Sequence, residues 1–112
     1  SHEQHAYAAN RLGSKANIAL EDYRIQSGKF DSIVSIEMFE AVGEKYWPVY
    51  FGKLKSLLAS RGKAVIQTIT IGEEHFSAYR KGGDAIRTFI FPGGMLPSPT
   101  RFQEESAKAG LK

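Results

Sequence analysis

Two runs of β-branched and other apolar residues, at positions 30–36 and 63–71, stand out in the hydrophobic pattern of the chain. Turn residues bound each run, which predicts two strands, the first suited to a buried parallel strand. Between them, apolar residues recur at helical spacing over positions 47–58, and Pro48 lies where proline favours a helix start. Residues 60–62 are expected to end that helix. A strand, a helix and a second strand within about 40 residues predict a βαβ unit of an open parallel α/β sheet.

Two shorter elements are predicted before this unit. Ser1 and Gln4 have the spacing of a capping box, which predicts a helix that begins at the first residues and ends at Gly13. Residues 18–20 are apolar and lie between polar neighbours, so they are predicted as a short strand.

The last third of the chain has a different pattern. Residues 73–81 predict a short helix, and residues 84–91 predict a helix or an extended segment. Residues 92–99 contain three prolines and predict a loop, after which Thr100 is expected to cap a last helix over residues 101–109. A region of this kind after a strand end is typical of a lid or a substrate-facing insertion.

The composition is that of one globular domain, because 42% of the 112 residues are hydrophobic and 24% are charged. The chain has no cysteine, which excludes disulfides, thiolate metal sites and a thiol nucleophile within it. His2, His5 and His75 lack the spacing of metal ligands, so no metal is predicted. No apolar run reaches the roughly 20 residues that cross a bilayer, and no leader pattern opens the chain, so a cytoplasmic protein is expected.

The net charge of +3 comes from 15 basic and 12 acidic side chains that are scattered along the sequence. A nucleic-acid-binding surface needs clustered positive charge, so no nucleic-acid partner is expected. The excess of positive charge is compatible with attraction to anionic lipid head groups, which would place the protein at the inner face of a membrane.

Four sequence strings give the chain a resemblance to a known family. They are residues 30–43 (FDSIVSIEMFEAVG), Ser1 and Gln4 with two residues between them, residues 21–24 (EDYR) and residues 89–98 (FIFPGGMLPS). In these strings the chain resembles the cyclopropane-fatty-acyl-phospholipid synthase family, a branch of the class I S-adenosylmethionine-dependent methyltransferases. The two longer strings are far more specific than a lone glycine pattern, and the matches follow the family's order.

The resemblance implies an α/β fold with an incomplete Rossmann-like methyltransferase sheet of parallel strands and flanking helices. Residues 18–20, 30–36 and 64–71 would be its third, fourth and fifth strands, and the first two and the last two strands would be missing. Residues 1–112 would then be a single partial domain, with a cofactor-side core over 1–71 and a lid or substrate-side insertion over 72–112. Unpaired strand edges would let two copies form a homo-oligomer, and the fragment by itself is expected to be inactive.

Three positions correspond by resemblance to the family's catalytic residues. The glutamate matching Glu40 helps to hold a bicarbonate ion that acts as the base, and the residue matching Ile36 gives that ion a main-chain contact. Well-known members have a histidine at the position of Gln67, and an amide donates a hydrogen bond but does not titrate. Simple C-methylation is therefore an alternative to ring closure. Glu40 as a surface carboxylate in a first helical turn, and Ile36 and Gln67 as ordinary strand residues, are the structural alternatives.

The resemblance assigns Gln4, Glu21 and Asp22 to the binding of S-adenosylmethionine, with Asp22 accepting a hydrogen bond from the adenine amino group. The alternatives are local: Gln4 completes a capping box, and an acidic residue at a strand end caps a helix or lies in a solvated turn. The aromatic residues at positions 46, 47, 50 and 51 are expected in the core rather than in an acyl tunnel.

The function that the resemblance implies is methyl or methylene transfer from S-adenosylmethionine to unsaturated acyl chains of membrane phospholipids, as in cyclopropane fatty acid synthesis. A methyltransferase acting on small molecules or other lipids is one alternative, and a non-catalytic fragment that pairs with itself is another. A dinucleotide dehydrogenase is disfavoured because no Gly-x-Gly-x-x-Gly follows a predicted strand.

Overall fold

A computed structural model describes residues 1–82 and 93–112 of the chain. The predicted segment 84–91, residues 83–92 of the proposed lid and the start of the 89–98 string lie outside the described residues. In the described part, the regular elements are helix α1 (His2–Leu12), strand β1 (Phe30–Ile36), helix α2 (Trp47–Leu57), strand β2 (Leu58–Gln67), helix α3 (Glu73–Lys81) and helix α4 (Pro99–Lys108).

Strands β1 and β2 pair in parallel, with helix α2 as their connection, so the predicted βαβ unit is confirmed. The register runs from Ser32 opposite Lys63 to Ile36 opposite Gln67. Because side chains alternate along a strand, one face of this two-stranded sheet packs on α2, and the described residues leave the other face uncovered. Val34, on the uncovered face, is 63% exposed.

Strand β2 differs in both bounds from the predicted strand over residues 63–71. It begins at Leu58, directly after α2, and an irregularity lets Phe30 pair with Leu58 while Ser32 pairs with Lys63. Strand β2 ends at Gln67 because the N–H groups of Ile69 and Ile71 donate to groups outside strand β1. That of Ile69 donates to the Glu40 carboxylate, and that of Ile71 donates to the carbonyl of Pro97.

The prediction of a strand at residues 18–20 is wrong: these residues have no regular structure. The carbonyl of Ile18 accepts a 2.9 Å hydrogen bond from the Nε2 atom of His5 in helix α1. Within the described residues the sheet consists of β1 and β2 alone, so this apolar run has no neighbouring strand to supply ladder hydrogen bonds.

Both ends of the described chain carry helices with side-chain caps. The predicted capping box of α1 is confirmed, because the N–H of Gln4 donates to Ser1 Oγ and Gln4 Oε1 accepts from the amino group of Ser1. The prediction of Thr100 as the cap of the last helix is wrong. Ser98 caps α4, since Pro99 suits a first helical position and the N–H of Thr100 donates to Glu73 instead.

The core is an aromatic cluster between helix α2 and the turn that follows β1. Tyr50 and Phe51 from α2 pack edge-on against each other, and Phe39 from the turn stacks on Trp47 at 5.5 Å between ring centroids. Leu54 and Met95 complete the buried set. The expectation of a core role holds for three of the four aromatic residues at 46–51, whereas Tyr46 is 42% exposed.

Candidate active site

The turn that follows strand β1 brings Glu40 back over the carboxyl ends of both strands. Glu37 has a left-handed backbone, with φ of 51°, and its N–H donates a 3.0 Å bond to the carbonyl of Gln67. This bond extends the β1–β2 pairing by one step before the chain turns. A 3₁₀ turn over Phe39–Ala41 then places Glu40 at the edge where ligands bind in open α/β sheets.

Glu40 is held through both its side chain and its main chain. Its Oε1 atom accepts a 2.7 Å hydrogen bond from the N–H of Ile69, and its carbonyl accepts a 3.1 Å bond from the N–H of Met95. Glu40 is only 1% exposed, and its Oε2 atom is buried without a hydrogen-bond partner among the described residues. A buried carboxylate oxygen left without a partner is costly for folding, which makes it a candidate for function.

Ile36 and Gln67 face each other as the last residues of β1 and β2. Both side chains belong to the uncovered face of the sheet, and Ile36 is 61% exposed. The structure therefore brings all three predicted catalytic residues to one edge. Among the described residues, however, the Glu40 carboxylate bonds to Ile69 and not to the Gln67 side chain. The roles of Ile36 and Gln67 stay predictions.

Glu21 and Asp22 line a cavity of about 510 Å³ beside the Glu40 turn. Its wall is completed by Tyr23, Arg24, Met38, Ala41, Val42 and Tyr46. Three of these residues, at positions 38, 41 and 42, closely flank Glu40 in the chain. The volume lies within the range of small-molecule and cofactor sites, and the lining combines carboxylates with aromatic and apolar side chains.

Asp22 is fixed by its neighbour Arg24. Its carboxylate accepts bonds from the Arg24 main-chain N–H at 2.9 Å and from the guanidinium at 2.6 to 3.1 Å. These bonds, those of the guanidinium first, lower the pKa of Asp22 to about 2. Asp22 is thus ionised and also caps the 3₁₀ turn Tyr23–Ile25. The structure contains the capping arrangement, and the cofactor contact stays a prediction.

The other two predicted cofactor residues make local contacts. Glu21 accepts a hydrogen bond from the side-chain amide of Gln26. Gln4 completes the capping box of α1, does not line the cavity beside the Glu40 turn and is exposed. Its predicted contact with the cofactor is untested by this geometry.

Two contributors to the Glu40 environment are absent from the sequence predictions, namely Ile69 and Met95. Each acts through its main-chain N–H, which every residue except proline has, so no side-chain pattern marks them. In the sequence, the Gly-Gly-Met string at residues 93–95 was the one indication of such a contact, since paired glycines permit a close approach of main chains.

Within residues 1–82 and 93–112, every helix is too short or too polar to cross a bilayer. In the same ranges, no three His, Asp or Glu side chains gather closely enough to hold a metal ion.

Comparisons with known proteins agree with this architecture. The sequence profile of the family described as mycolic acid cyclopropane synthetase matches residues 1–112. Tuberculostearic acid methyltransferase UfaA1 of Mycobacterium tuberculosis is 45% identical over 91 residues, which are 81% of this chain and 21% of the relative. Cyclopropane-fatty-acyl-phospholipid synthase of Escherichia coli K12 is 35% identical over 107 residues, 95% of this chain and 27% of the relative. The chain thus spans about a quarter of the length of these relatives.

Solved structures give the same assignment. The cyclopropane synthase MmaA2 from Mycobacterium tuberculosis superimposes with a TM-score of 0.80 at 25% identity, covering 98% of this chain and 44% of that one. The mycolic acid cyclopropane synthase CmaA1, complexed with SAH and CTAB, gives a TM-score of 0.72 at 26% identity, with the same coverage. The βαβ unit with its carboxyl-edge turns is therefore a partial methyltransferase fold. The chain belongs to the mycolic acid cyclopropane synthetase family.

Proposed function

We propose that the parent enzyme containing this chain transfers a methyl or methylene group from S-adenosylmethionine to the double bond of an unsaturated fatty acyl chain in a lipid. Family membership supports the reaction class. One structural observation carries the site: the buried carboxylate of Glu40, whose Oε2 atom has no hydrogen-bond partner among the described residues, lies at the carboxyl ends of the strands. Its neighbours in the chain line the 510 Å³ cavity.

The chemistry gives Glu40 a role that its position can fill. When bound, S-adenosylmethionine supplies an electrophilic methyl group. Alkylation of a carbon–carbon double bond leaves a carbocation, which is stabilised by nearby negative charge and needs a base for ring closure. The Glu40 carboxylate provides that charge from a buried site, where electrostatic effects are larger than in water.

Bicarbonate is proposed as the base that Glu40 helps to hold. The Oε2 atom, which has no partner in residues 1–82 and 93–112, fits such an ion, because a carboxylate oxygen accepts the O–H of bicarbonate. Gln67 and the main chain of Ile36, at the ends of the two paired strands, are proposed as its other contacts.

The cofactor's adenosine end is proposed to bind in the cavity lined by Glu21 and Asp22. Asp22 would accept from the adenine amino group, since the bonds from Arg24 fix its carboxylate in ionised form. Tyr23 and Met38 in the wall would contact the purine ring. Gln4 is proposed as a further contact.

Phospholipid acyl chains are the proposed substrate, and a cytoplasmic protein peripheral to the inner membrane face would reach them. Gln67 favours a second candidate reaction, C-methylation without ring closure, because an amide does not titrate and so does not assist removal of a proton from the new methyl group. The carbocation would then lose a proton from a neighbouring chain carbon and leave a branched unsaturated chain. Both reactions occur among the names of the relatives: UfaA1 is named a methyltransferase, and the Escherichia coli relative is named a cyclopropane-fatty-acyl-phospholipid synthase.

Product analysis tests the proposal. The parent enzyme containing this chain is incubated with S-adenosylmethionine and vesicles of phospholipid bearing oleoyl chains, and the released fatty acids are analysed by mass spectrometry. A mass gain of one methylene unit is expected, because a methyl group is added and a proton is lost, and chromatography separates a ring from an unsaturated branched chain of the same mass. Replacement Glu40→Gln is expected to lower the rate about 100-fold or more. The control Glu74→Gln changes a carboxylate that is 74% exposed and should have no effect.

Methylation of small molecules only, with no change in any lipid, would contradict the proposed substrate class.

The 112-residue chain by itself is proposed to be inactive, so calorimetry should detect no saturable binding of S-adenosylmethionine to it. Saturable micromolar binding would contradict this part of the proposal. A homo-oligomer formed through unpaired strand edges is also proposed, and light scattering tests it. A strict monomer at high concentration would exclude this homo-oligomer.

A further inference from the structure

Residues 93–97, named here the strap, pass over the Glu40 turn. They form hydrogen bonds with that turn and with residues 69–71, which follow strand β2. The N–H of Met95 donates to the Glu40 carbonyl at 3.1 Å, and the carbonyl of Pro97 accepts from the N–H of Ile71 at 2.9 Å. Two residues before Ile71, the N–H of Ile69 donates to the Glu40 carboxylate. The Glu40 turn, residues 69–71 and the strap are thus joined pairwise by hydrogen bonds, and Glu40 takes part in two of these three bonds.

The strap is packed as closely as the core. Met95 is 3% exposed and belongs to the aromatic cluster, and Pro97 is fully buried. The N–H of Leu96 donates to the hydroxyl oxygen of Tyr79 in helix α3 at 2.9 Å. These contacts leave the strap little freedom to move independently of Glu40.

A glycine permits the close approach between the strap and the Glu40 turn. Gly43 has φ of +85°, and a Cβ atom built on it would lie 2.4 Å from the carbonyl oxygen of Gly93. Real Cβ atoms show essentially no contact so short, and the opposing atom belongs to the main chain. A side chain at position 43 would therefore shift either the strap or the Glu40 turn.

We propose that the strap is a positioning element for Glu40: through Met95 it fixes the main chain of Glu40, and through Ile71 it fixes the segment whose Ile69 N–H orients the carboxylate. This inference rests on the proposed function, in which the Glu40 carboxylate faces the reacting lipid. Gly43 and Met95 are positioning residues, because neither side chain bears the chemistry.

Gly43→Ala in the parent enzyme containing this chain tests the inference, with Gly52→Ala as the matched control. Gly52 lies in helix α2 with nothing within 4 Å of an added Cβ atom, so its replacement should leave turnover unchanged. Displacement of a catalytic group by about 1 Å costs up to about 100-fold in rate. We expect Gly43→Ala to lower kcat about 10- to 100-fold while KM for S-adenosylmethionine changes less than about twofold.

A double-mutant cycle separates positioning from a general loss of structure. In a Glu40→Gln background, Gly43→Ala should lower the residual rate by less than about twofold, because the group it positions has already been removed. An equal loss of rate in both backgrounds would overturn the inference. If Gly43→Ala does not fold, Gly93→Ala replaces it, since φ of +78° strains the strap while its Cβ meets no atom within 4 Å.

Amide hydrogen exchange provides a readout that does not depend on activity. Gly43→Ala should accelerate exchange at Ile69 and Met95 and leave exchange in helix α2 as it is in Gly52→Ala. Unchanged exchange at both amides would overturn the inference. Failure of the proposed function would give a different result. The unaltered parent enzyme would form no lipid product, while the amides of Ile69 and Met95 would still be protected from exchange.

Discussion

The hydroxyl group of Tyr50 donates a 2.8 Å hydrogen bond to Ser35 Oγ and so joins helix α2 to strand β1 inside the core. Both residues are buried, and the polar pair lies among aromatic rings. Burial raises the pKa of Tyr50, an effect that the bond to Ser35 reduces. The pair fixes how the helix lies on the inner face of the sheet.

Replacement Tyr50→Phe should destabilise the protein by about 1–2 kcal/mol, because it leaves the Ser35 hydroxyl buried without its partner. The raised pKa has a second consequence. Above pH 10.0, the unfolded state ionises this tyrosine before the folded state does, so stability falls as pH rises and Tyr50→Phe should lessen that fall. Urea unfolding at neutral and alkaline pH measures both effects. Tyr7→Phe, at a residue that is 68% exposed, should change neither.

Replacement Arg24→Met should raise the pKa of Asp22 from about 2 toward its ordinary value of 3.8, since the guanidinium is the largest cause of the shift. The pair's contribution to stability is present above pH 3.8 and disappears as pH falls through about 2, so the variant should lack this acid dependence. Carbon NMR titration of the Asp22 carboxyl group measures the shift. Arg11→Met removes a comparable charge from α1 and should leave the Asp22 titration unaltered; an unchanged midpoint in Arg24→Met would refute the assignment.

Replacement Phe51→Ala should cost about 3–5 kcal/mol, because this fully buried ring contacts three others. Its centroid lies 5.4 Å from that of Phe39, 5.2 Å from Tyr50 and 5.1 Å from Phe102. Val49→Ala on the same helix, at a residue that is 46% exposed, should cost less than about 1 kcal/mol. Comparable losses in the two variants would contradict the position of the core.

Replacement Glu73→Gln should weaken the joint between the first turns of α3 and α4. The Thr100 side-chain hydroxyl first, and then the Thr100 N–H, which donates to Glu73 Oε1 at 2.6 Å, lower the pKa of Glu73 below 4.5. The stabilisation is present above pH 4.5 and is lost as pH falls through the lowered value, so Glu73→Gln should show a smaller acid-induced loss. Acid titration followed by circular dichroism tests this, with Glu74→Gln as the control at an adjacent exposed carboxylate.

The elements that local rules specify could be predicted from the sequence. The α1 capping box needs only Ser1 and Gln4 three residues apart at the first turn, and both of its bonds form. Strand β1 is a β-branched run, and helix α2 has Pro48 in its first turn and apolar residues at helical spacing. In each of these elements, local preference and packing favour the same structure.

The features that depend on partners distant in sequence could not be predicted. Ile18 and its neighbours have strand-like character, but a strand needs an adjacent strand, and the described residues provide none. The end of β2 is set by Glu40 and Pro97, which accept the N–H groups of Ile69 and Ile71. The resemblance indicated Glu40 as a candidate site residue, while its burial and main-chain contacts required coordinates.

Trp47 is the sole tryptophan of the chain, and its position turns it into a native optical probe. The indole is fully buried, stacked on Phe39 next to Glu40, with the Arg101 guanidinium 5.6 Å from its ring centroid. Its fluorescence emission should therefore be blue-shifted and shielded from aqueous quenchers. Loosening of the aromatic cluster would admit water to the indole and shift the spectrum to the red. Events around the carboxylate can thus be followed in real time without attaching a dye.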